Sequence, residues 1–388
     1  MSELACADAC ILSDEMAITR RALLAALAAD NRPKVACILN VYFPNSHADV
    51  FMGRLLEGYR LNGQSHRPRV QTVSLYVDQF PPNDMAREQA DEYGVKIYKS
   101  VKEALCQGGD KLAVDGVAII GEHGDYPRTP RGNFMYPRKK RFDEVTAVFQ
   151  QNNRVLPLMN DKYFAYDWAD AKAMYDRVKN GKLPFFCGSS LPLTWRRPAL
   201  EFKPGIELDE VLAVSFSDLE EHAYHAIELM QAMAEKRKGG ETGVAEIRCV
   251  EGDAVFKDNF WSRDLLDAAL IHRINHVPKN TTPPQAIFVK YRDGLKGTIL
   301  NLNAQSRDYL FAAREKSGKV HASCFYIQLH VHNHWGFMVK HFEDLVLSKK
   351  SPFPPERTLL SNGILLSALD SRLDAQNWRA TPHLAISY

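Results

Sequence analysis

Between residues 34 and 188, apolar strand-like runs alternate with segments of helical spacing, and this alternation narrows the possible folds more than any other feature of the chain. Strands read at Lys34–Phe43, Val70–Val77, Val95–Tyr98, Val114–Ile120, Arg154–Met159 and Leu183–Gly188. Helices read at His47–Tyr59, Asp84–Tyr93, Val101–Cys106, Phe142–Asn152 and Trp168–Asn180, one in each interval. Strands joined through helices run parallel, and a parallel sheet needs helices on both faces. The pattern changes after about residue 195. A helix at Asp218–Ala234 precedes strands at Val244–Val250, Ala286–Tyr291, Gly297–Asn303, Tyr309–Ala313 and Val320–His330, with a turn at Arg292-Asp293-Gly294. Short turns between neighbouring strands predict a mostly antiparallel open sheet, and helices at His341–Leu347 and Asn362–Leu373 close the chain.

The expected class is therefore α/β, in two domains, as the 388-residue length also suggests. Residues 33–195 form a Rossmann-like parallel-sheet domain. Residues 196–388 form an α+β substrate and oligomerisation domain, whose final helices can pack back on the first. Residues 1–32 read as an appended helical arm. Within it, Thr19-Arg20-Arg21 superficially resembles a twin-arginine export signal, but the apolar stretch that follows ends at Asp30, which favours a helix packed on the body and a cytoplasmic protein. A net charge of +2 gives no reason to expect nucleic acid, and no apolar run approaches the ~20 residues that span a bilayer. Seven cysteines, at positions 6, 10, 37, 106, 187, 249 and 324, form no CxxC pair and read as reduced, mostly buried thiols.

Ligands of an open parallel sheet bind beyond the carboxyl ends of its strands, so those ends hold the candidate residues. The first end is Asn40-Val41-Tyr42-Phe43-Pro44-Asn45-Ser46-His47. A dinucleotide site needs glycines here to let backbone amides approach the pyrophosphate, and this loop has none. The second ends at Asp78, where a carboxylate can bind the ribose diol of NAD. The fourth ends in Gly121-Glu122-His123-Gly124-Asp125, followed by a basic loop over residues 126–140. His123 and Asp125 are candidate substrate ligands there. The fifth ends in Asn160-Asp161-Lys162-Tyr163, a lysine beside a carboxylate that desolvation could turn into an acid or base. The next supplies Ser190, with Arg196 close behind, as further substrate-binding candidates.

Two other constellations lie in the second half. On a helix, Glu221 and His225 are four apart and share a face, the arrangement in which a carboxylate orients an imidazole. In the run Cys324–Trp335, a period of two places His330, His332 and His334 on one strand face. Two of them, His332 and His334, could share a divalent metal with Glu122 or His123; otherwise this is a polar face toward water or a partner subunit.

Together these pieces resemble the glucose–fructose oxidoreductase/inositol dehydrogenase (Gfo/Idh/MocA) family over about residues 34–388. Val77-Asp78 with Ala90-Asp91-Glu92-Tyr93-Gly94-Val95, and Tyr98-Lys99-Ser100-Val101-Lys102-Glu103-Ala104-Leu105 with Val114-Asp115-Gly116-Val117, look like its early units. Asn160-Asp161-Lys162 falls where the family carries Glu-Lys-Pro, and Glu221 through His225 falls on its Asp-x-Gly-x-His helix. Tyr291-Arg292-Asp293-Gly294 with Gly297-Thr298 resembles its C-terminal sheet. The resemblance implies Lys162 and His225 as an acid–base pair facing a sugar or polyol hydroxyl, a nicotinamide cofactor, NAD(P), and a homo-oligomer, dimer or tetramer. Asn40 and Tyr42 stand near the first two expected glycines. Three functions follow: a lyase, hydratase or hydrolase using Lys162, His225 and a divalent metal on a carbohydrate-like substrate; an NAD(P)-dependent sugar oxidoreductase with an unusual phosphate loop; or a non-catalytic binding or scaffold protein.

Overall fold

The chain is described here by a computed structural model covering residues 30–275, 277, 282–328 and 332–388. The expected arm over residues 1–32, with Cys6 and Cys10, lies almost entirely outside the described residues, as does His330. The first half is built from β1 (Lys34–Leu39), α1 (His47–Glu57), a small hairpin of β2 (Tyr59–Leu61) and β3 (Gln64–His66), β4 (Gln71–Val77), α2 (Ala86–Tyr93), β5 (Lys96–Tyr98) and α3 (Val101–Cys106). It continues through β6 (Gly116–Ile120), α4 (Arg138–Gln151), β7 (Leu158–Asp161), α5 (Trp168–Asn180) and β8 (Phe185–Gly188). These strands form a parallel six-stranded sheet in the order β5-β4-β1-β6-β7-β8. The chain reverses its direction of growth between β1 and β6, and the crevice beyond their carboxyl ends is where a sheet of this type binds ligand.

Strand β1 shows why an unbroken apolar run becomes a central strand. Val35, Cys37 and Leu39 point into one core, while Ala36 and Ile38 point into the other, against residues of α3, α4 and α5. The first core is closed by α1 and by α9 (Trp335–Ser348), a helix from the far end of the chain. Cys37, Cys106, Cys187, Cys249 and Cys324 are buried free thiols.

The second half begins with β9 (Trp195–Arg197) and β10 (Leu208–Ser215). A short π-helical segment, Leu219–Ala223, leads into α6 (Tyr224–Ala234), then β11 (Val244–Glu251), α7 (Ala254–Lys257) and α8 (Arg263–Leu270). Strands β12 (Gln285–Tyr291), β13 (Lys296–Asn301), β14 (Tyr309–Glu315) and β15 (Val320–Tyr326) follow, and α9, α10 (Pro355–Leu373) and β16 (Arg379–Ala380) end the chain. The sheet order is β16-β11-β12-β13-β10-β14-β15-β9, antiparallel except for β10 beside β13. One face packs on α6 and α10, and the other on α7, α8 and Trp378. Helices therefore cover both faces.

Three element readings are corrected. Strand β15 ends at Tyr326, short of the expected His330, and His332 has φ +50 and sits in a turn leading to α9. The helix expected from Asp218 is α-helical only from Tyr224, because its first turn closes from Ala223 N–H to the Asp218 carbonyl, five residues back. Helix α4 starts at Arg138, inside the expected basic loop, and the Arg138 side chain is fully buried.

Candidate functional site

A cavity of about 190 Å³ opens beyond the carboxyl ends of β1, β6, β7 and β8, between the parallel sheet and the second half of the chain. Six of the 13 histidines line it: His47, His123, His222, His225, His332 and His334, with Lys162 among them. They arrive on separate elements, namely the start of α1, the loop after β6, the π turn and α6, and the turn before α9. Ser190, Tyr309 and Trp335 also line the cavity.

Lys162 follows β7 with φ +60, and its backbone N–H bonds the Gly188 carbonyl at 3.1 Å, which fixes the side chain at the sheet edge. Its ammonium lies 2.9 Å from Glu122 Oε2, and the other Glu122 oxygen contacts Arg138. All three side chains are nearly or fully buried. Glu122 is thus the counter-ion of two cations, which leaves no role for it as a metal ligand.

His225 is buried, and its Nδ1 lies 2.5 Å from Ser189 Oγ. Ser189 is the partner of that imidazole among the described residues, and the side chain of the expected Glu221 lies outside them. Beneath Ser189, the buried Glu228 accepts from its backbone N–H and from Thr358 Oγ at 2.8 Å. Burial pushes the Glu228 carboxyl up to about 7, against the lowering effect of those bonds. Gly188 has φ +142, and a Cβ there would come within 2.6 Å of Glu228 Oε1.

Burial keeps four of these histidines neutral, helped by neighbouring positive groups. The His123 imidazole is pushed down to about 3 and that of His222 to about 4, while His225 and His334 lie well below the ordinary value. Asp161 faces His47, with Nδ1 to Oδ2 at 2.6 Å. Burial by itself would raise this carboxyl, but His47, Lys162 and Arg138 hold it below the usual range. Asp161 therefore acts on its neighbour rather than on the cavity.

Two candidates lie elsewhere. Asp125 is exposed, and its backbone, not its carboxylate, is held by Gln79. Arg196 is directed at the Thr194 and Pro192 carbonyls and at Glu201. Among the described residues no three His, Cys, Asp or Glu side chains converge as metal ligands, so the grouping of Glu122, His123, His332 and His334 is not a metal site in this structure. Conversely, His47, His222, Ser189 and Trp335 were not singled out from the sequence. The signal for His47 was present at the start of the helix after β1, but that loop was judged only by its missing glycines.

A dinucleotide does not fit the crevice as it is built. Tyr42 is wholly buried in the core behind the loop. At the start of α1, Ser46 Oγ accepts from the amides of Phe43 and Asp49, and the Asp49 carboxylate accepts from Asn45 N–H at 2.7 Å. Donors that would face a pyrophosphate are thus used internally, next to a negative charge. The crevice walls touch: Asn40 Nδ2 donates to the His123 carbonyl at 3.3 Å, and the His123 ring lies 5.5 Å from Phe43 and 5.3 Å from His47. Asp78 stands where a ribose-binding carboxylate would, yet it accepts from Tyr76, Tyr126 and Arg141.

No family model matches the sequence, and no curated protein matches it. Solved structures do match. GenD2 from gentamicin A biosynthesis, in complex with NAD, is 11% identical with a TM-score of 0.59, over 90% of this chain and 96% of that one. A probable dehydrogenase from Thermotoga maritima is 13% identical with a TM-score of 0.59, over 90% and 99%. Scyllo-inositol dehydrogenase from Lactobacillus casei, with bound NAD(H) and scyllo-inositol, is 8% identical with a TM-score of 0.55, over 90% and 99%. The chain has the two-domain fold of these dehydrogenases, as the sequence resemblance implied. Among the described residues no helix is long and apolar enough to cross a membrane.

Proposed function

We propose that this chain, which has the two-domain fold of inositol dehydrogenases, is an enzyme that moves protons on a carbohydrate- or polyol-like molecule without a resident dinucleotide. The observation that carries this reading is a buried ammonium and a buried neutral imidazole, Lys162 and His225, lining one polar cavity beside a crevice whose walls are bridged. Lys162 supplies a positive donor that Glu122 and Arg138 hold in place. His225 supplies a neutral donor or acceptor set by Ser189. In a site with little water, such fixed groups orient a hydroxyl or carbonyl oxygen and stabilise charge that develops on it. Lyase, hydratase and hydrolase chemistry all fit that pair.

A second reading is an NAD(P)-dependent sugar oxidoreductase. It is favoured by the dinucleotides in structures of the same fold and by the position of Asp78. It requires Asn40, Phe43 and His47 to separate from His123. Titration of the purified protein with NAD(H) and NADP(H), followed by fluorescence, tests the two readings. No binding in the micromolar range is expected; micromolar affinity at the crevice would transfer the assignment to the oxidoreductase. In a screen of sugars, keto-sugars and polyols, Lys162→Met and His225→Ala are each expected to abolish turnover while leaving the fold intact. Near-wild-type turnover in both would leave the binding or scaffold role.

A further inference from the structure

Two histidines face each other across the cavity with ring centroids 6.4 Å apart, and each has a hydrogen-bond partner at Nδ1. His47 Nδ1 lies 2.6 Å from Asp161 Oδ2. An ionised carboxylate only accepts, so this Nδ1 carries a proton, and in the neutral ring Nε2 keeps the lone pair. Across the cavity, Ser189 Oγ accepts from Leu191 N–H at 2.9 Å and lies 2.5 Å from His225 Nδ1. A Ser189 proton given to that nitrogen leaves His225 with its own proton on Nε2. The Trp335 ring, 4.7 Å from His47 and nearly perpendicular to it, restricts how far the His47 imidazole can turn.

We propose that His47, oriented by Asp161, is the general base of this site, and that Lys162 and the His225 Nε2–H group are paired donors to one substrate oxygen. This deepens the proton-transfer reading above and rests on it. One base opposite two donors suits a carbon acid: the base takes a proton from carbon while the donors receive the charge that moves to oxygen. A ring carbon of an ordinary polyol is not acidic enough for this, so the substrate class is a sugar that already carries a carbonyl. The reaction that supplies it is an alcohol oxidation catalysed elsewhere.

The step balances within the site. His47 Nε2 takes the proton from the carbon beside the carbonyl, and the C–H electrons form a C=C bond as the carbonyl electrons move to oxygen. When the carbonyl re-forms, those electrons shift to a new double bond toward the next carbon and expel its oxygen substituent. The leaving oxygen takes the proton held by His47. Nothing is oxidised or reduced overall.

The test is made on the full-length protein without substrate, by long-range proton–nitrogen NMR of the histidine rings in uniformly ¹⁵N-labelled material, assigned with His47→Gln and His225→Gln. The expected result at pH 7.5 is a protonated Nδ1 and bare Nε2 for His47, and the reverse for His225. The opposite tautomer at His47, or the same tautomer at both residues, would overturn the assignment. In D₂O with dihydroxyacetone as probe, wild-type protein is expected to exchange the hydrogens beside the carbonyl about 10²-fold faster than His47→Gln. Equal rates in the two proteins, including no exchange in either, would overturn the base role. Failure of the broader reading looks different: micromolar NAD(H) binding in the crevice refutes that reading whichever tautomers are found.

Discussion

Lowering the pH from 7 to 5 is expected to unfold this protein or bring it close to unfolding, because neutral histidines are buried around one cavity. His123, His225 and His334 have folded-state values far below the ordinary 6.5. Such groups bind protons in the unfolded chain but not in the native one, so their stability is fully present above about pH 6.5 and is lost as pH falls. A ring that stays neutral at pH 5 loses about 2 kcal/mol over this interval, hence about 6 kcal/mol for three. His222 adds less, since 30% of its side chain is exposed. Glu228 works in the opposite direction. Its folded-state value is raised to about 7, so protonating it over the same interval returns about 2 kcal/mol. Asp78 and Asp161 are held low and lose their contribution only below about pH 4, outside this window. The net loss of about 4 kcal/mol or more is a large part of the ~5–15 kcal/mol by which proteins are usually stable. Urea unfolding midpoints at half-unit pH steps measure this, and near pH 5.5 the slope should correspond to about two protons, three taken up by the histidines less one released by Glu228. His334→Gln should reduce that slope by about one proton. A midpoint unchanged between pH 7 and 5.5 would refute the picture of a buried, neutral histidine cluster.

Three further outcomes follow from the same residues. Glu122→Gln leaves the buried Arg138 and Lys162 cations without their counter-ion, and should cost about 3–5 kcal/mol in urea denaturation; a loss below about 1 kcal/mol would mean the ion cluster is not dry. Gly188→Ala combines φ +142 with a Cβ 2.6 Å from Glu228 Oε1, and should cost about 1–3 kcal/mol in thermal unfolding, with a change in the ring signals of His225 through Ser189. Glu228→Gln should match wild type below about pH 4.5 and exceed it by about 3 kcal/mol above pH 7. The amide can accept from Ser189 N–H and donate to Thr358 Oγ, which keeps its own bond to the Cys187 carbonyl. Equal pH profiles for the two proteins would show that Glu228 stays ionised in the native state.

What could be read in the sequence was what depends on local periodicity. The run that became β1 is apolar from Val35 to Leu39 because both of its faces are covered, and Lys162 and His225 stand out in the sequence because they sit at a strand end and on a strongly periodic helix. The failures share a different cause. Arg138 was placed in a solvated basic loop, since nothing near it in sequence shows that Glu122 will be its buried partner. His332 and His334 alternate as a strand would, yet pairing ends at Tyr326, and His332 reaches φ +50 so that the chain can turn into α9. Helix α8 was missed although Leu265, Leu266 and Ala269 have helical spacing. Its role, covering the outer face of the second sheet, depends on strands far away in sequence.

The missing glycines and the newly assigned base are consequences of one local change at the start of α1. In a dinucleotide-binding domain this helix must end in bare amides, with no side chain between them and the neighbouring strand. Here Ser46 and Asp49 use the amides, and His47 extends across the end of β6 to reach Asp161 at the end of β7. The side chain that crosses the crevice meets His123, which closes the opening from the other wall. A pyrophosphate and the His47–Asp161 bond therefore compete for the same space. Any NAD(H) that binds in the crevice must break that bond, so the His47 ring signals have to shift during the titration. Dinucleotide binding with those signals unchanged would place the nucleotide elsewhere on the protein and leave the proton-transfer assignment intact. A shift in step with binding would show that the crevice opens, and would return the chain to the chemistry its fold is used for in the solved dehydrogenases.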